Sequence, residues 1–286
     1  MKFGVVFPQY EIGADPAVLR DFVHTIEELG FDYLLAYDHV LGANPERPGG
    51  WSGPYTFRHD FHEVLVTFGW MAALTHRLEF ATGILILPQR QTALVAKQVA
   101  QLSVLSAGRF RLGVGIGWNE VEYEALGQDF HTRGKRLEEQ VTLLRELWSK
   151  PLVQFTGQFD TIPDAGVSPL PPRPIPIWFG GDADVALRRA ARIGDGWMPN
   201  FRPELTDQIK LIQRYVTESG RDPAAFGIDV RIPAGKIPQS EWGSQIRQLA
   251  ALGVSHISLN TLNAGYTLSE QHLYAMRRFK AEVDSL

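Results

Sequence analysis

The sequence predicts an α/β fold of the (β/α)8 TIM-barrel class, and three observations support this prediction. Eight stretches typical of buried strands alternate with eight stretches typical of amphipathic helices. The chain of 286 residues is slightly longer than the roughly 250 residues usual for such a barrel. A doubly wound open sheet, the competing architecture, normally has a glycine-rich phosphate turn after strand 1, whereas here that strand ends in Phe7-Pro8-Gln9.

Strand and helix patterns follow one another from the N-terminus to the C-terminus. The strands are expected at residues 3–8, 31–37, 78–87, 109–116, 175–180, 196–199, 227–233 and 254–260. The helices that follow them are expected at residues 15–29, 60–75, 92–106, 132–149, 183–193, 204–219, 239–252 and 268–284. In the third helix, Val95, Val99 and Leu102 fall on one face, as is typical of an amphipathic helix. Gly108 then lies where a left-handed helix stop is favoured.

Three connections exceed ordinary barrel loops and are expected to be insertions after strands 2 and 4 and before strand 5. They cover residues 41–60, 119–131 and 151–174. The last of them contains a possible hairpin around Thr156-Gly157. Because no polar linker or internal repeat divides the chain, we expect a single domain over residues 1–286.

Composition excludes several classes of protein. The formal net charge of -4 argues against a general nucleic-acid binder. Cysteine is absent, which excludes a disulfide scaffold, a thiolate metal site and a cysteine nucleophile. The N-terminus has no signal-peptide pattern and no apolar run approaches membrane-spanning length, so a cytoplasmic protein without a membrane partner is expected.

The fourth strand has an unusual alternation of side chains. Its two faces carry Phe110, Leu112, Val114 and Ile116 on one side and Arg111, Gly113, Gly115 and Gly117 on the other. Each glycine weakens a strand, so three on one face favour a specific reason for them. We expect the glycine face to leave room for a flat ligand, and a bulge or close helix packing is the alternative.

The site of such a barrel lies at the carboxyl ends of its strands, where the residues exclude several reactions. Only Asp38-His39 could join a metal site, because His59 and His62 have no evident third partner, and no metal is expected. A retaining glycosidase needs a second carboxylate, and none lies around Pro233 at the end of strand 7. A serine nucleophile elbow and a Walker-type loop are also absent.

The end of strand 5 is compatible with phosphate binding. Gly180-Gly181 would let a phosphate approach the backbone, and the following helix would supply N–H donors. Asp182 is a natural N-cap that would compete for these donors, so a plain strand-to-helix turn is an equal alternative.

Several short motifs follow one another in a characteristic order and spacing. They are Tyr37-Asp38-His39-Val40, Thr82-Gly83-Ile84, Pro88-Gln89-Arg90, Leu105-Ser106-Ala107-Gly108-Arg109, Leu112-Gly113-Val114-Gly115-Ile116-Gly117-Trp118, Arg133-Gly134, Phe179-Gly180-Gly181, Arg189-Ala190-Ala191-Arg192 and Gly194-Asp195-Gly196-Trp197. Together they resemble the luciferase-like monooxygenase superfamily, in particular its branch of oxidoreductases that depend on the deazaflavin coenzyme F420. The resemblance covers nearly the whole chain and implies hydride transfer between the deazaflavin ring and an organic substrate.

The resemblance also implies which residues contact the cofactor. Asp38 and His39 match positions beside the ring, with His39 as a possible proton donor and a structural loop histidine as the alternative. Gly83 and Ile84 match the place where relatives carry a non-proline cis peptide. The other implied contacts are Ile86, Ile116, Gly117, Gly180, Gly181 and Asp182. The candidates for the anionic tail of the cofactor are Arg90, Arg133 and Arg136.

One residue departs from the family pattern. A sugar-phosphate dehydrogenase of this family has a catalytic Glu after the strand-4 glycine, where this chain has Trp118. Glu120 and Glu122 do not align with that position, so sugar-phosphate activity is in doubt and strand 4 receives no acid/base role. Trp118 is expected to wall a substrate pocket with Trp51 and Asn200, and an ordinary packed aromatic is an equal alternative.

Three hypotheses for function follow. The first is an F420-dependent oxidoreductase acting on a small, fairly apolar molecule. The second is an FMN-dependent monooxygenase of the same superfamily, which would use reduced flavin and oxygen. The third is a non-catalytic flavin-binding barrel. The resemblance also implies a homodimer.

Overall fold

The computed structural model describes all 286 residues and confirms the expected (β/α)8 TIM barrel. Its strands are β1 (Lys2–Val6), β2 (Tyr33–Ala36), β3 (Glu79–Thr82), β4 (Leu85–Ile86), β5 (Phe110–Gly115), β6 (Val153–Thr156), β7 (Thr161–Ala165), β8 (Ile177–Gly180), β9 (Gly196–Met198), β10 (Gly227–Pro233) and β11 (His256–Asn260). All strands pair in parallel except β6 and β7, which form a separate antiparallel hairpin. The barrel closes because β1 pairs with both β2 and β11, while β5 pairs with β3, β4 and β8.

Nine α-helices accompany the barrel strands. They are α1 (Pro16–Glu28), α2 (Val64–Leu74), α3 (Thr92–Leu105), α4 (Glu120–Ala125), α5 (Arg133–Ser149), α6 (Asp184–Ile193), α7 (Leu205–Glu218), α8 (Trp242–Ala251) and α9 (Ser269–Asp284). The short helix α4 was not among the eight expected helices, and it lies in the connection after β5. No helix is both long enough and apolar enough to span a membrane.

The third barrel strand is interrupted, which the sequence pattern for residues 78–87 did not predict. Glu79–Thr82 and Leu85–Ile86 form two short strands, and the peptide bond between Gly83 and Ile84 is cis. A Cβ on Gly83 would lie 2.2 Å from Cδ2 of Leu35, so the chain passes close to β2 at this point.

Two hydrophobic layers stabilise this arrangement. A large cluster, which includes Val95, Val99 and Leu102 of α3, fills the space between the strands and the surrounding helices. A small cluster inside the barrel includes Leu35 and Met198. Because these side chains fill the interior of the barrel, a ligand site is expected at the carboxyl ends of the strands rather than in the middle of the barrel.

Candidate active site

A cavity of about 560 Å3 opens at the carboxyl ends of the strands. The residues that the sequence nominated and that line this cavity are Asp38, His39, Gly83, Ile84, Ile86, Ile116, Gly117, Trp118, Gly180, Gly181, Asp182 and Asn200. They lie in or shortly after β2, β3, β4, β5, β8 and β9, so the barrel brings together residues far apart in sequence. The volume falls within the roughly 300–1,000 Å3 typical of ligand and cofactor sites.

The glycine face of β5 is not open space, and the expectation of room directly against the strand was wrong. A Cβ on Gly113 would lie 2.0 Å from the carbonyl oxygen of Thr82, because β3 approaches β5 closely there. A Cβ on Gly115 would lie 2.5 Å from Cδ1 of Ile84, and one on Gly117 would lie 2.7 Å from Cγ2 of Ile86. Ile84 and Ile86 therefore occupy the room left by the glycines and form an isoleucine floor that faces the cavity.

The Asp38 carboxylate holds the segment that carries this floor. Its Oδ2 accepts a hydrogen bond from the Ile86 backbone N–H at 2.9 Å, and its Oδ1 accepts from Nη2 of Arg90 at 2.7 Å. The Asp38 side chain is fully buried, and Arg90 also contacts Glu63 at 3.2 Å. A buried carboxylate needs such partners, so Asp38 fixes the position of Ile86 as well as lining the cavity.

His39 contacts a carboxylate that the sequence analysis did not assign to the site. Nδ1 of His39 lies 3.2 Å from Oε2 of Glu122, whose side chain is fully buried. The other oxygen of Glu122 accepts from the N–H groups of Val40 and Leu41 and from the Tyr55 hydroxyl. Since all these partners are donors, an ionised Glu122 fits the arrangement and Nδ1 of His39 carries the hydrogen. Nε2 is then the nitrogen that can exchange a proton with a ligand.

The hydrogen bonds determine the charge of Glu122. Burial by itself would raise its pKa, but the hydrogen bond and the charge of His39, together with the hydrogen bonds from Tyr55 and the Leu41 N–H, outweigh it and lower the pKa to about 2. The pKa of Tyr55 is raised, because burial and the hydrogen bond to Glu122 both favour the protonated phenol. Near neutral pH, Glu122 is therefore a carboxylate beside a protonated phenol.

Rings surround the imidazole of His39 on several sides. The Tyr55 ring lies 3.9 Å from it, Phe61 lies 5.0 Å away and Trp118 lies 5.9 Å away, each between ring centroids. These rings together with the Glu122 contact restrict the orientation of the imidazole.

The opposite end of the cavity is formed by the connection from β8 to α6. Gly181 has a φ of 104°, a conformation that favours glycine, and α6 begins without a side-chain cap. The expectation that Asp182 caps this helix was wrong. Its carboxylate instead accepts from the backbone and side-chain N–H groups of Asn200, at 3.1 and 2.7 Å. The N–H groups of Asp184 and Val185 are therefore left without a side-chain competitor, whereas the N–H of Ala186 donates to the Ala183 carbonyl oxygen.

Basic side chains lie at the same end of the cavity, although not all of those expected. Arg133 lines the cavity, as does Arg189, which the sequence analysis did not assign to it. The Nε of Arg133 is buried without a hydrogen-bond partner. Arg90 and Arg136 were also expected here but do not line the cavity, since Arg90 is paired with Asp38 and Arg136 donates to the Arg90 carbonyl oxygen.

The three residues assigned to a substrate pocket occupy different places. Trp118 lies at the cavity mouth, and its ring is 5.6 Å from that of Trp51. Trp51 does not line this cavity and instead lies in an adjoining cleft, where its Nε1 donates to the Tyr55 carbonyl oxygen. Asn200 lies beside Asp182, so it belongs to the end of the cavity formed by the β8–α6 connection rather than to the neighbourhood of His39.

No group of three or more His, Asp or Glu side chains is arranged to hold a metal ion. Of the two histidines with ligand-like spacing, His59 contacts Thr56 and His62 contacts the Gly13 carbonyl oxygen at 2.9 Å. These contacts are those of ordinary loop histidines.

The profile of the luciferase-like monooxygenase family matches residues 1–238, and the chain belongs to this family. An uncharacterized protein of Mycobacterium tuberculosis is 43% identical over 164 residues, which are 56% of either chain. An F420-dependent glucose-6-phosphate dehydrogenase of Amycolatopsis mediterranei is 32% identical over 190 residues, which are 64% of this chain and 53% of that protein. This chain thus spans little more than half the length of these relatives.

Solved structures with the same fold share less sequence identity. An F420-dependent secondary alcohol dehydrogenase in complex with an F420–acetone adduct has a TM-score of 0.75 and 19% identity, covering 96% of this chain and 98% of that one. A monooxygenase from Streptomyces bottropensis has a TM-score of 0.78 and 18% identity, covering 100% and 99%. At these identities the similarity concerns the fold.

Proposed function

We propose that this protein is an F420-dependent oxidoreductase that transfers a hydride between the deazaflavin ring and a small organic molecule. The observation that carries the proposal is the single cavity that combines an apolar floor, a histidine and a phosphate-compatible helix terminus. The F420 dependence of relatives about 30% identical supports the choice of cofactor. The membership of the chain in a family of oxidoreductases supports the reaction class.

The residues present fit such a cofactor. The isoleucine floor offers a flat apolar surface for a ring, and Asp38 holds Ile86 through its backbone N–H. At the other end, Gly181 and the uncapped N-terminus of α6 offer N–H donors to a phosphate, and Arg133 has a buried Nε without a partner. Together these residues would bind a molecule that is planar at one end and anionic at the other.

A groove next to the cavity favours F420 over FMN. It has a volume of about 480 Å3 and shares His131, Gly134 and Arg189 with the cavity. Lys135 lines this groove and makes no salt bridge. Both carboxylates of the groove already have partners, because Glu138 is paired with Arg189 at 2.8 Å and Glu139 accepts from the backbone N–H groups of residues 158–160. The long polyanionic tail of F420 would extend into the groove, and the single phosphate of FMN would end before it.

In this proposal His39 transfers the proton that accompanies hydride transfer. Bound F420 supplies a ring carbon that accepts or donates the hydride. Nε2 of His39 accepts the proton of a substrate hydroxyl in one direction and returns it to a carbonyl oxygen in the other. Glu122 acts through His39, because its carboxylate fixes the hydrogen on Nδ1 and stabilises the imidazolium that forms.

Titration of the purified protein with F420 and with FMN tests the choice of cofactor. We expect tighter binding of F420, measured by quenching of its fluorescence. The Lys135→Ala variant should weaken F420 binding by roughly threefold to tenfold and leave FMN binding unchanged, because only the longer tail reaches Lys135. Lys210→Ala, on the exposed face of α7, is the matched control. Tighter binding of FMN would replace the proposal by the flavin-dependent monooxygenase hypothesis.

A further inference from the structure

A second and smaller chamber adjoins the cavity, and Tyr37 and His39 line both spaces. Its volume is about 200 Å3, below the roughly 300 Å3 at which pockets for drug-sized ligands begin. Tyr10, Phe61 and Leu262 also line it, and we call it the aromatic chamber. Because the chamber and the larger cavity share these two residues, a molecule in the chamber could contact the imidazole while a cofactor occupies the cavity.

The chamber presents an uncommitted hydrogen-bond donor at its boundary with the cavity. Nδ2 of Asn260 donates to the Tyr37 hydroxyl oxygen at 3.2 Å, and the Tyr37 hydroxyl itself donates to no protein acceptor. Burial raises the pKa of Tyr37, so the hydroxyl keeps its proton throughout the physiological range. A ligand oxygen placed here could accept from Tyr37 while it exchanges a proton with His39.

Charge is absent from the wall of the chamber. No Lys, Arg, Asp or Glu side chain lines it. The carboxylate of Glu11 lies just behind the wall, where its Oε1 accepts from the N–H of Asn263 at 2.9 Å. Arg231 is close enough to Tyr37 to offset part of the rise in its pKa that burial causes, but it donates to the Pro199 carbonyl oxygen and is not part of the wall. A phosphate in the chamber would therefore contact no cation and would lie near the Glu11 carboxylate, which is unfavourable in a partly buried site.

We propose that the aromatic chamber binds the body of an uncharged alcohol or ketone no larger than about a single ring, with its oxygen between His39 and Tyr37. This proposal rests on the proposed function. In the oxidative direction the substrate C–H bond breaks with its electron pair passing as hydride to oxidised F420. The O–H proton passes to Nε2 of His39, and the carbon–oxygen double bond forms. Reduction of a ketone is the reverse.

The chamber can be tested without the cofactor. Saturation-transfer NMR on the apo protein would compare cyclohexanol with glucose 6-phosphate as probes. We expect a signal for cyclohexanol only, and at least a fivefold loss of it in Leu262→Trp, whose indole would fill the chamber. Leu105→Trp, on an exposed position of α3, is the matched control. Thermal unfolding of both variants checks that they are folded.

A second variant keeps the test decisive if Leu262→Trp does not fold. Phe61→Ala enlarges the chamber, so cyclohexanol should bind more weakly and the two-ring alcohol 2-decalol more tightly. Unchanged probe preferences in Phe61→Ala and Leu262→Trp, or a stronger signal for glucose 6-phosphate, would overturn the chamber assignment.

Hydride transfer provides a separate readout. With F420 bound, Tyr37→Phe should lower kcat with cyclohexanol about tenfold and leave F420 affinity unchanged, because it removes the hydrogen bond to the substrate oxygen and, within the protein, only the one from Nδ2 of Asn260. Equal kcat in this variant would remove Tyr37 from the substrate site. Failure of F420 to bind would contradict the proposed function and leave the NMR comparison intact, so the two failures are distinguishable.

Discussion

The two ends of the barrel each contain a buried ion-pair network, and the surroundings of the two networks differ. Near the amino-terminal end, Nη2 of Arg111 contacts Oδ2 of Asp229 at 2.7 Å, and the Tyr33 hydroxyl donates to the same carboxylate. The guanidinium of Arg111 lies between rings, 4.1 Å from the centroid of Trp178 and 5.0 Å from that of Tyr33. His256 packs on Trp178, and burial together with Arg111 lowers its pKa to about 2.

The network at the carboxyl-terminal end also consists of buried carboxylates with cationic and aromatic partners, but one of its members faces open space. Glu122 and Asp38 are buried and paired like Asp229, but His39 also faces a cavity. A buried ion pair is therefore not by itself a sign of catalysis. The sign is a titratable group that a buried charge orients toward open space.

The largest effect should come from breaking the network at the amino-terminal end. Asp229→Asn leaves Arg111 buried without a counter-charge and should lower the free energy of unfolding by about 3–5 kcal/mol. Denaturant unfolding measures this change. Glu79→Gln, which removes the partially exposed salt bridge to Lys2, is the control and should cost less than about 1 kcal/mol. Equal losses in the two variants would contradict the structural role of Asp229.

His39→Ala should separate the two networks by affecting activity rather than folding. We expect kcat to fall about 100-fold or more, since proton transfer is lost, with F420 affinity changed by less than about threefold. Steady-state kinetics and cofactor titration measure the two quantities. His76→Ala, an exposed histidine far from the cavity, should behave as the wild type. Retained turnover in His39→Ala would remove His39 from the mechanism.

Glu122→Gln tests whether the network at the carboxyl-terminal end contributes both to stability and to the orientation of His39. The amide nitrogen would face donors, because every partner of Glu122 donates to it, so stability should fall by about 1–3 kcal/mol. The kcat should fall roughly tenfold as the orientation of His39 is lost. A loss of stability without a loss of kcat would show that Glu122 only holds the loop.

The acid dependence of stability should report the same residue. The pKa of Glu122 falls from its ordinary 4.5 to about 2 in the folded protein, so its contribution is complete above about pH 4.5 and is lost as the pH falls toward 2. Unfolding curves recorded across this range should therefore decline less steeply for Glu122→Gln than for the wild type. Parallel curves would contradict the ionised state assigned to Glu122.

The smallest effect should come from the isoleucine floor. A Cβ on Gly115 would meet the flexible end of Ile84, so Gly115→Ala should displace Ile84 toward the cavity and weaken F420 binding about tenfold. Gly69→Ala is the control, because a Cβ there has no neighbour within 4 Å. Equal cofactor affinity in the two variants would show that the floor does not contact the ring.

Local patterns were enough to predict the barrel and the order of its elements. The periodicity of apolar residues over short windows predicts the alternation of strands and helices. Residues at the carboxyl ends of parallel strands then necessarily meet at one end of a barrel. This is why the nominated residues other than Trp51, Arg90 and Arg136 line one cavity. The predicted homodimer stays a prediction, to be checked by sedimentation.

The errors concern partners chosen at a distance. Glu122 reaches His39 across 83 positions of the chain, and its place three residues after the cap Asn119 suits an ordinary helix start. Asp182 is placed before α6 as an N-cap residue would be, but its carboxylate accepts hydrogen bonds from Asn200, which is 18 positions further along the chain. Periodicity gives no information about such choices, because they depend on which loops the fold brings together.

A crystal structure of the protein soaked with F420 tests the central claim most directly. We expect electron density for the ring against Ile84 and Ile86, with His39 at its edge and the phosphate near Gly181. Density for the cofactor outside this cavity, or a cavity that takes up FMN and excludes F420, would contradict it.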